Sequence, residues 1–338
     1  MSAIEHFLTE GTPLEVKPLG NGLINDTLKV SMDSGKNYVL QRINHSIFRD
    51  VDLLMHNIDC VTAHIRSKGK RTLRFIPCRE TGKSYWTDGR EYWRVSEFID
   101  GAYTLDAVTP ETAACAGKAF GEFQAMLIDV PDAIGETIPD FHNMELRARQ
   151  LQQAVEENRA GRVALPESGE ILSEISANME EMCKAERLHR QGLLPKRICH
   201  CDTKVNNMLF DADGNVICVI DLDTVMPSFV FSDIGDFLRT GASTVAEDNP
   251  DTGLVDFRMD IYRSFTEAYL DAASGFLTPV EVENIPYAAC LFPFMQAVRF
   301  FADYLAGDTY YKTLYPDHNL VRTRNQLALF RSARSKLL

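Results

Sequence analysis

His200-Cys201-Asp202-Thr203-Lys204-Val205-Asn206-Asn207 is followed shortly by Val219-Ile220-Asp221-Leu222-Asp223. Between them lie two short apolar runs, Met208-Leu209-Phe210 and Val216-Ile217-Cys218-Val219-Ile220, joined by Asp211-Ala212-Asp213-Gly214. Such runs around an Asp/Gly-rich turn read as a β-hairpin. A hairpin brings its open ends together, so the carboxylates and the amide flanking it face one place.

That set of groups suits phosphoryl transfer. The reaction needs an acceptor hydroxyl aimed in line and a cation to neutralise phosphate charge, and little covalent help. Asp202 is placed to orient the hydroxyl and take its proton. Asn207 and Asp221 offer the hard oxygen atoms that Mg²⁺ prefers. His-x-Asp-x4-Asn, then an apolar strand, then Asp, is the order of a kinase catalytic loop and metal-binding Asp. Asp223, two residues beyond Asp221, shares its face on a strand and is a candidate for the metal or the substrate.

Working toward the N-terminus, Glu15 to Leu19 reads as a strand. Gly20-Asn21-Gly22-Leu23-Ile24-Asn25-Asp26-Thr27 follows as a glycine turn, then strands at Leu28 to Val30 and Tyr38 to Ile43. Glycines let backbone N–H groups approach phosphate oxygens, so Gly20, Gly22, Asn25 and Thr27 are candidates for the nucleotide. Kinases place a cation on the third strand; here that position falls on Gln41 or Arg42, and Arg42 is the expected phosphate cation. Residues 47–67 carry an apolar stripe at helical spacing. A strand at Leu73 to Ile76 and a hairpin over 84–95 complete a small lobe. Ser96 to Gly101 reads as the hinge, where the backbone of Glu97 and Ile99 meets adenine. The boundary is expected there, giving a nucleotide-binding lobe over 1–100 and a catalytic lobe over 101–338.

Beyond it, helices are expected at 110–127, 143–160, 166–191, 256–275 and 280–306, with one opening near Asp233, a plausible N-cap. Asp236 is read as the brace of the catalytic loop. Arg299 lies in an apolar helix, where it either pairs with Asp303 one turn on or faces the cleft and holds substrate oxygens.

The 338 residues suit two lobes. A net charge of −13 argues against nucleic acid, whose binding needs Lys and Arg. Eight scattered cysteines without Cys-x-x-Cys read as free thiols of a reducing compartment. The N-terminus shows no signal-peptide pattern, and the most apolar run, Ala288 to Val298, is short for a bilayer. A cytoplasmic protein that binds neither membrane nor nucleic acid is expected.

The chain resembles the aminoglycoside phosphotransferase and choline kinase superfamily, a branch of the protein-kinase-like fold, over nearly its whole length. Gly20 to Thr27, His200 to Asn207 with Ile220-Asp221-Leu222-Asp223-Thr224-Val225-Met226-Pro227, and Arg299 to Tyr310 resemble the N-acetylhexosamine 1-kinases. The resemblance implies an α+β, two-lobed fold. A small antiparallel sheet lobe with one helix would precede a larger, mainly helical lobe. It also implies ATP- and Mg²⁺-dependent phosphorylation of the anomeric hydroxyl of N-acetylglucosamine or N-acetylgalactosamine. Asp202 would be the base, Asn207 and Asp221 the metal ligands, and Arg299 and Tyr310 sugar contacts. Leu23 stands where the resemblance would place a His near the sugar. The alternatives are a kinase of choline, homoserine, methylthioribose or an aminoglycoside, and a non-catalytic pseudokinase.

Overall fold

The structure, a computed structural model, describes residues 3–20 and 24–338. Its strands are β1 (Pro13–Pro18), β2 (Asp26–Met32), β3 (Asn37–Ile43), β4 (Trp86–Thr87), β5 (Tyr92–Glu97), β6 (Arg197–Cys199), β7 (Met208–Phe210), β8 (Val216–Val219) and β9 (Met226–Ser228). Its helices are α1 (Val51–Ser67), α2 (Pro110–Met126), α3 (Met144–Glu157), α4 (Pro166–Met182), α5 (Lys184–Arg190), α6 (Phe231–Gly241), α7 (Met259–Ala273), α8 (Pro279–Glu283), α9 (Ile285–Ala306) and α10 (His318–Leu337). The chain folds into two compact units. One comprises Met1–Leu105, Met126–Pro139 and Asn206–Pro227, the other Asp106–Ala125, Asp140–Val205 and Ser228–Leu338. The hairpin after the catalytic loop thus belongs with the N-terminal sheet, so a single cut near residue 100 does not separate the units.

The first unit is built on a five-stranded antiparallel sheet of order β1-β2-β3-β5-β4. One face buries Val30, Met32, Tyr38, Leu40 and Val95 with Ile4, Phe7 and Cys78, and Trp86 and Trp93 pack against that cluster. The expected strand at 73–76 is reduced to a single bridge from Phe75 to Ser96. Helix α1 starts at Val51 rather than at residue 47. The Asp50 side chain accepts from Leu53 N–H and caps it there.

The second unit is helical, with α9 at its centre against α3, α6 and α10. Gly235 lets α6 lie close to α9: a Cβ there would stand 2.2 Å from Phe292 Cδ2 and 2.7 Å from Ala288 O. The expected helix over 166–191 breaks at Cys183 into α4 and α5. Helix α9 is longer than its most apolar run and is long and apolar enough to cross a membrane by length and composition. Most of it is buried within this unit, as in the core helix of a folded protein.

Candidate active site

The loop of residues 200–205, expected to be catalytic, hangs on one carboxylate of the second unit, to which it belongs. Asp233 is not the cap of α6 but lies in its first turn, fully buried. Its Oδ1 accepts from Cys201 N–H at 2.8 Å, and its Oδ2 accepts from His200 N–H at 3.0 Å and Gln124 Nε2 at 2.6 Å. Thr203 Oγ1 donates to its backbone oxygen at 2.6 Å. Burial pushes its carboxyl above the usual range, although these donors and His200 oppose the shift. Cys201, held this way, has a left-handed backbone with φ 63°. A non-glycine residue pays for that conformation, and it turns the chain immediately before Asp202.

Asp202 is partly exposed, and Lys204 Nζ stands 2.6 Å from its Oδ1. Burial tends to lower the Lys204 pKa, but Asp202 and Asp236 outweigh it, so the lysine sits above its ordinary value and stays charged. The loop backbone is thus held by Asp233 and not by Asp236, the brace expected. Asp236 pairs with Arg239 at 3.4 Å while its Oδ2 is buried without a hydrogen bond. Burial first, with Asp202 adding to it, raises its pKa to about 6 against the pull of Arg239.

In the first unit, β7 and β8 pair antiparallel, with Met208 opposite Val219. Ile220 N–H donates to Asn207 O at 2.9 Å, so Asn207 and Asp221 are neighbours at the open end of the hairpin. Asn207 is buried, whereas Asp221 is exposed and left-handed at φ 59°, ψ 57°. The turn it leads is tied down from several sides. Asn57 Nδ2 donates to Val225 O at 3.0 Å, Thr137 Oγ1 to Asp223 O at 3.1 Å, and Asn25 Nδ2 to Asp223 Oδ2 at 2.6 Å. An exposed carboxylate beside an amide, both hard oxygen donors on a fixed turn, fits a Mg²⁺ ion that keeps several waters and takes the rest of its ligands from phosphates.

Asp223 does not face open space. Arg94 on β5 lies 2.5 Å from its Oδ1, and both side chains are almost fully buried. The contact is an ion pair rather than an aligned hydrogen bond, since Oδ1 accepts none. Arg94 is also where the third-strand question resolves. Thr27, Gln41 and Arg94 stand opposite one another across β2, β3 and β5. Gln41 Nε2 donates to Thr27 Oγ1 and Arg94 Nε to Gln41 Oε1, each at 3.0 Å. Arg42 points the other way. It is exposed, with Nε 2.8 Å from Asp26 Oδ2 and Nη1 2.7 Å from Glu91 Oε1. The expectation that Arg42 is the phosphate cation is corrected: strand alternation turns it to the opposite face from Gln41. The cation on Gln41's face is Arg94, which sequence reasoning passed over because it lies on another strand.

Among the other expected residues, Asn25 is committed, with its Oδ1 accepting from Asn44 N–H at 2.9 Å. Gly20 has a positive φ of 73° with open space where a Cβ would stand. Gly22 and Leu23 lie outside the described residues. Glu97 ends β5 and gives its N–H to Arg74 O at 2.9 Å, and Ile99 O accepts from Ala102 N–H at 3.3 Å.

Arg299 and Tyr310 belong to the second unit. Arg299 does not pair with Asp303. Its guanidinium lies 5.7 Å from the ring centres of both Phe141 and Tyr311, and its Nη1 donates to Gln296 Oε1 at 3.1 Å. Asp303 instead accepts from the backbone N–H groups of Thr309, Tyr310 and Tyr311 at 2.9, 2.8 and 3.0 Å, and from Asn319 Nδ2 at 2.9 Å. It thereby fixes the loop that carries exposed Tyr310.

A family model described as the phosphotransferase enzyme family (APH) matches residues 15–272. An aminoglycoside phosphotransferase from Alicyclobacillus acidocaldarius superposes with a TM-score of 0.66 at 15% identity, covering 99% of this chain and 95% of that one. Amicoumacin kinase hAmiN, in complex with AMP-PNP, Ca²⁺ and Ami, gives 0.61 at 15% identity, with 96% and 91% covered. Choline kinase LicA from Streptococcus pneumoniae gives 0.57 at 15%, with 96% and 94% covered. These likenesses show the protein-kinase-like fold, with a five-stranded sheet and helix in the N-terminal unit and a larger helical unit. The chain belongs to the phosphotransferase enzyme family (APH).

Proposed function

We propose that the chain is an ATP- and Mg²⁺-dependent kinase that phosphorylates the anomeric hydroxyl of an N-acetylhexosamine, giving the sugar 1-phosphate. Nucleotide use is supported by the family and by the amicoumacin kinase structure, which is in complex with AMP-PNP and Ca²⁺. Asn207 and Asp221 hold the metal, which when bound neutralises charge on the phosphates. Asp202 orients the acceptor hydroxyl and accepts its proton, a contribution worth roughly 10²–10⁴-fold. Lys204 pairs with that carboxylate, its Nζ 2.6 Å from Oδ1. The Arg94–Asp223 pair holds the turn that presents Asp221. Arg299 and Tyr310 contact the sugar. A cytoplasmic location is part of the same proposal, supported by eight cysteines free of disulfides.

One observation carries the choice of acceptor. Arg299 and Arg147, on α9 and α3, make no ion pair with any described residue. A wall of unneutralised guanidinium groups repels choline and aminoglycosides and suits an oxygen-rich acceptor. The test is ADP release from Mg-ATP with N-acetylglucosamine, N-acetylgalactosamine, glucose, galactose, choline, homoserine and kanamycin. Turnover confined to the sugars is expected. Turnover on choline or kanamycin alone would overturn the acceptor assignment.

A further inference from the structure

Four groups, His142 just before α3, Arg147 near its start, Arg299 on α9 and Tyr311 beyond its end, carry more positive charge and more unused donors than a neutral sugar needs. Arg147 gives Nη1 to Gln150 Oε1 at 2.8 Å, and Nη2 to Asp140 O at 3.2 Å and Phe141 O at 2.5 Å. Its Nε is buried without a partner. His142 is stacked on Phe141 with ring centres 4.3 Å apart and meets the edge of Phe292 at 4.8 Å. Its Nδ1 is also buried without a partner. Arg299 lies 5.7 Å from the ring centres of both Phe141 and Tyr311. Tyr311 OH accepts from Gln296 Nε2 at 3.3 Å, which ties the fourth member to the same helix face.

These groups feel one another. Burial, then Arg299, Arg147 and Arg239, push His142 well below its ordinary pKa. Burial and then Arg299 lower Arg147 to about 10. Two guanidinium groups that repel each other in a poorly solvated place, with no carboxylate paired to either, are costly for a folded chain. A bound anion removes that cost. Guanidinium forks match planar carboxylate and phosphate oxygens. Arg239, whose charge reaches His142, pairs with Asp236, which in turn senses Asp202.

We propose that Arg147, Arg299 and His142 form an anion subsite, and that the preferred acceptor is a sugar bearing a carboxylate or phosphate group away from its anomeric hydroxyl. The inference rests on the reading of the chain as a sugar kinase and names the acceptor class within it. The subsite contributes no bond making or breaking; it binds and orients.

The test compares matched acceptors. N-acetylglucosamine is set against N-acetylmuramic acid and N-acetylglucosamine 6-phosphate, and glucose against glucuronic acid. Both kcat/KM and calorimetric binding affinity are measured. The acidic member should be favoured about tenfold or more, as expected for one charge-assisted hydrogen-bond pair. Arg147→Gln should reduce that ratio about tenfold. The acid that leads, carboxylate or phosphate, identifies the anion. If Arg147→Gln does not fold, Arg299→Gln is read the same way. Binding of the acidic sugars that depends on Arg147, without turnover of any sugar, would uphold the subsite while refuting the hexosamine 1-kinase reading. Neutral sugars bound as tightly as acidic ones, or a ratio unmoved by both substitutions, would overturn the subsite.

Discussion

Asp233→Asn is the substitution that tests how the catalytic loop is held. It keeps the shape of the side chain and replaces one acceptor oxygen by an NH₂ group. In the native chain the two carboxylate oxygens take three N–H donors, from His200, Cys201 and Gln124. An asparagine that keeps its oxygen toward His200 and Gln124 must present NH₂ to Cys201 N–H, leaving one buried donor unmet. The reverse orientation leaves two. A hydrogen bond to a charged group contributes about 1.5–3 kcal/mol, so the cheaper orientation costs about 2–3 kcal/mol. That is a large share of the 5–15 kcal/mol typical of folded domains. The lost bond falls on Cys201, whose left-handed backbone sets the direction of Asp202. Urea unfolding followed by circular dichroism should show the loss, and kcat should fall while the KM for ATP changes little. A variant within about 0.5 kcal/mol of the wild type, the range of ordinary surface changes, with an unchanged kcat would refute the assignment of Asp233 as the brace.

The remaining predictions concern the chemistry and the charges around it. Asp202→Asn should lose roughly 10²–10⁴-fold in kcat while ATP still binds, and Asp221→Ala should abolish Mg²⁺-dependent turnover; titration calorimetry with ATP and kinetics across Mg²⁺ concentrations measure both. Arg94→Met should cost about 3–5 kcal/mol by stranding Asp223, and Arg94→Met with Asp223→Leu should recover much of it. Arg42→Ala should cost about 1 kcal/mol or less, because its ion pairs are exposed; chemical denaturation of the three variants would contradict the corrected placement if Arg42→Ala were the costlier single change. Asp236 has a folded pKa raised from 3.8 to about 6, so its stabilising contribution is complete below pH 3.8 and is lost as the pH rises through about 6. The difference in melting temperature between wild type and Asp236→Asn should therefore shrink or reverse between pH 4 and pH 7, and parallel curves would sink that reading.

The hairpin flanked by Asp202, Asn207 and Asp221 was legible because local spacing carries it: a turn composition between two short apolar runs. The strands of the N-terminal sheet, α1 and the large helices before α10 were legible from periodicity. What escaped was set by contacts distant in sequence. Alternation along β3 could not say which of Gln41 and Arg42 faces inward, and the answer depends on Arg94, which stands opposite Gln41 from another strand. Asp233 and Asp236 are both acidic residues near the start of α6. Only the packing shows that Asp233 meets the backbone of residues 200–201, while Asp236 is left to Arg239. The spacing of Arg299 and Asp303 suggested a helical ion pair, but the N–H groups of residues 309–311 compete for Asp303 and win. The closing helix α10, rich in Arg, was not anticipated, although Leu320, Leu327 and Phe330 are buried against the core. The anion subsite was only partly visible. Arg299 stood out as a charge in an apolar helix, whereas Arg147 and His142 lie in a polar stretch with no pattern of their own.

Transfer to an anomeric hydroxyl is decided by the identity of the product. Wild-type protein would be incubated with Mg-ATP and N-acetylglucosamine, N-acetylgalactosamine or N-acetylmuramic acid, and the product examined by ³¹P NMR and mild acid hydrolysis. The product should carry a phosphate coupled to the anomeric proton and released by mild acid. An acid-stable phosphate coupled to other ring or side-chain protons, or no phosphorylated sugar while ATP is consumed with choline or kanamycin, would contradict it.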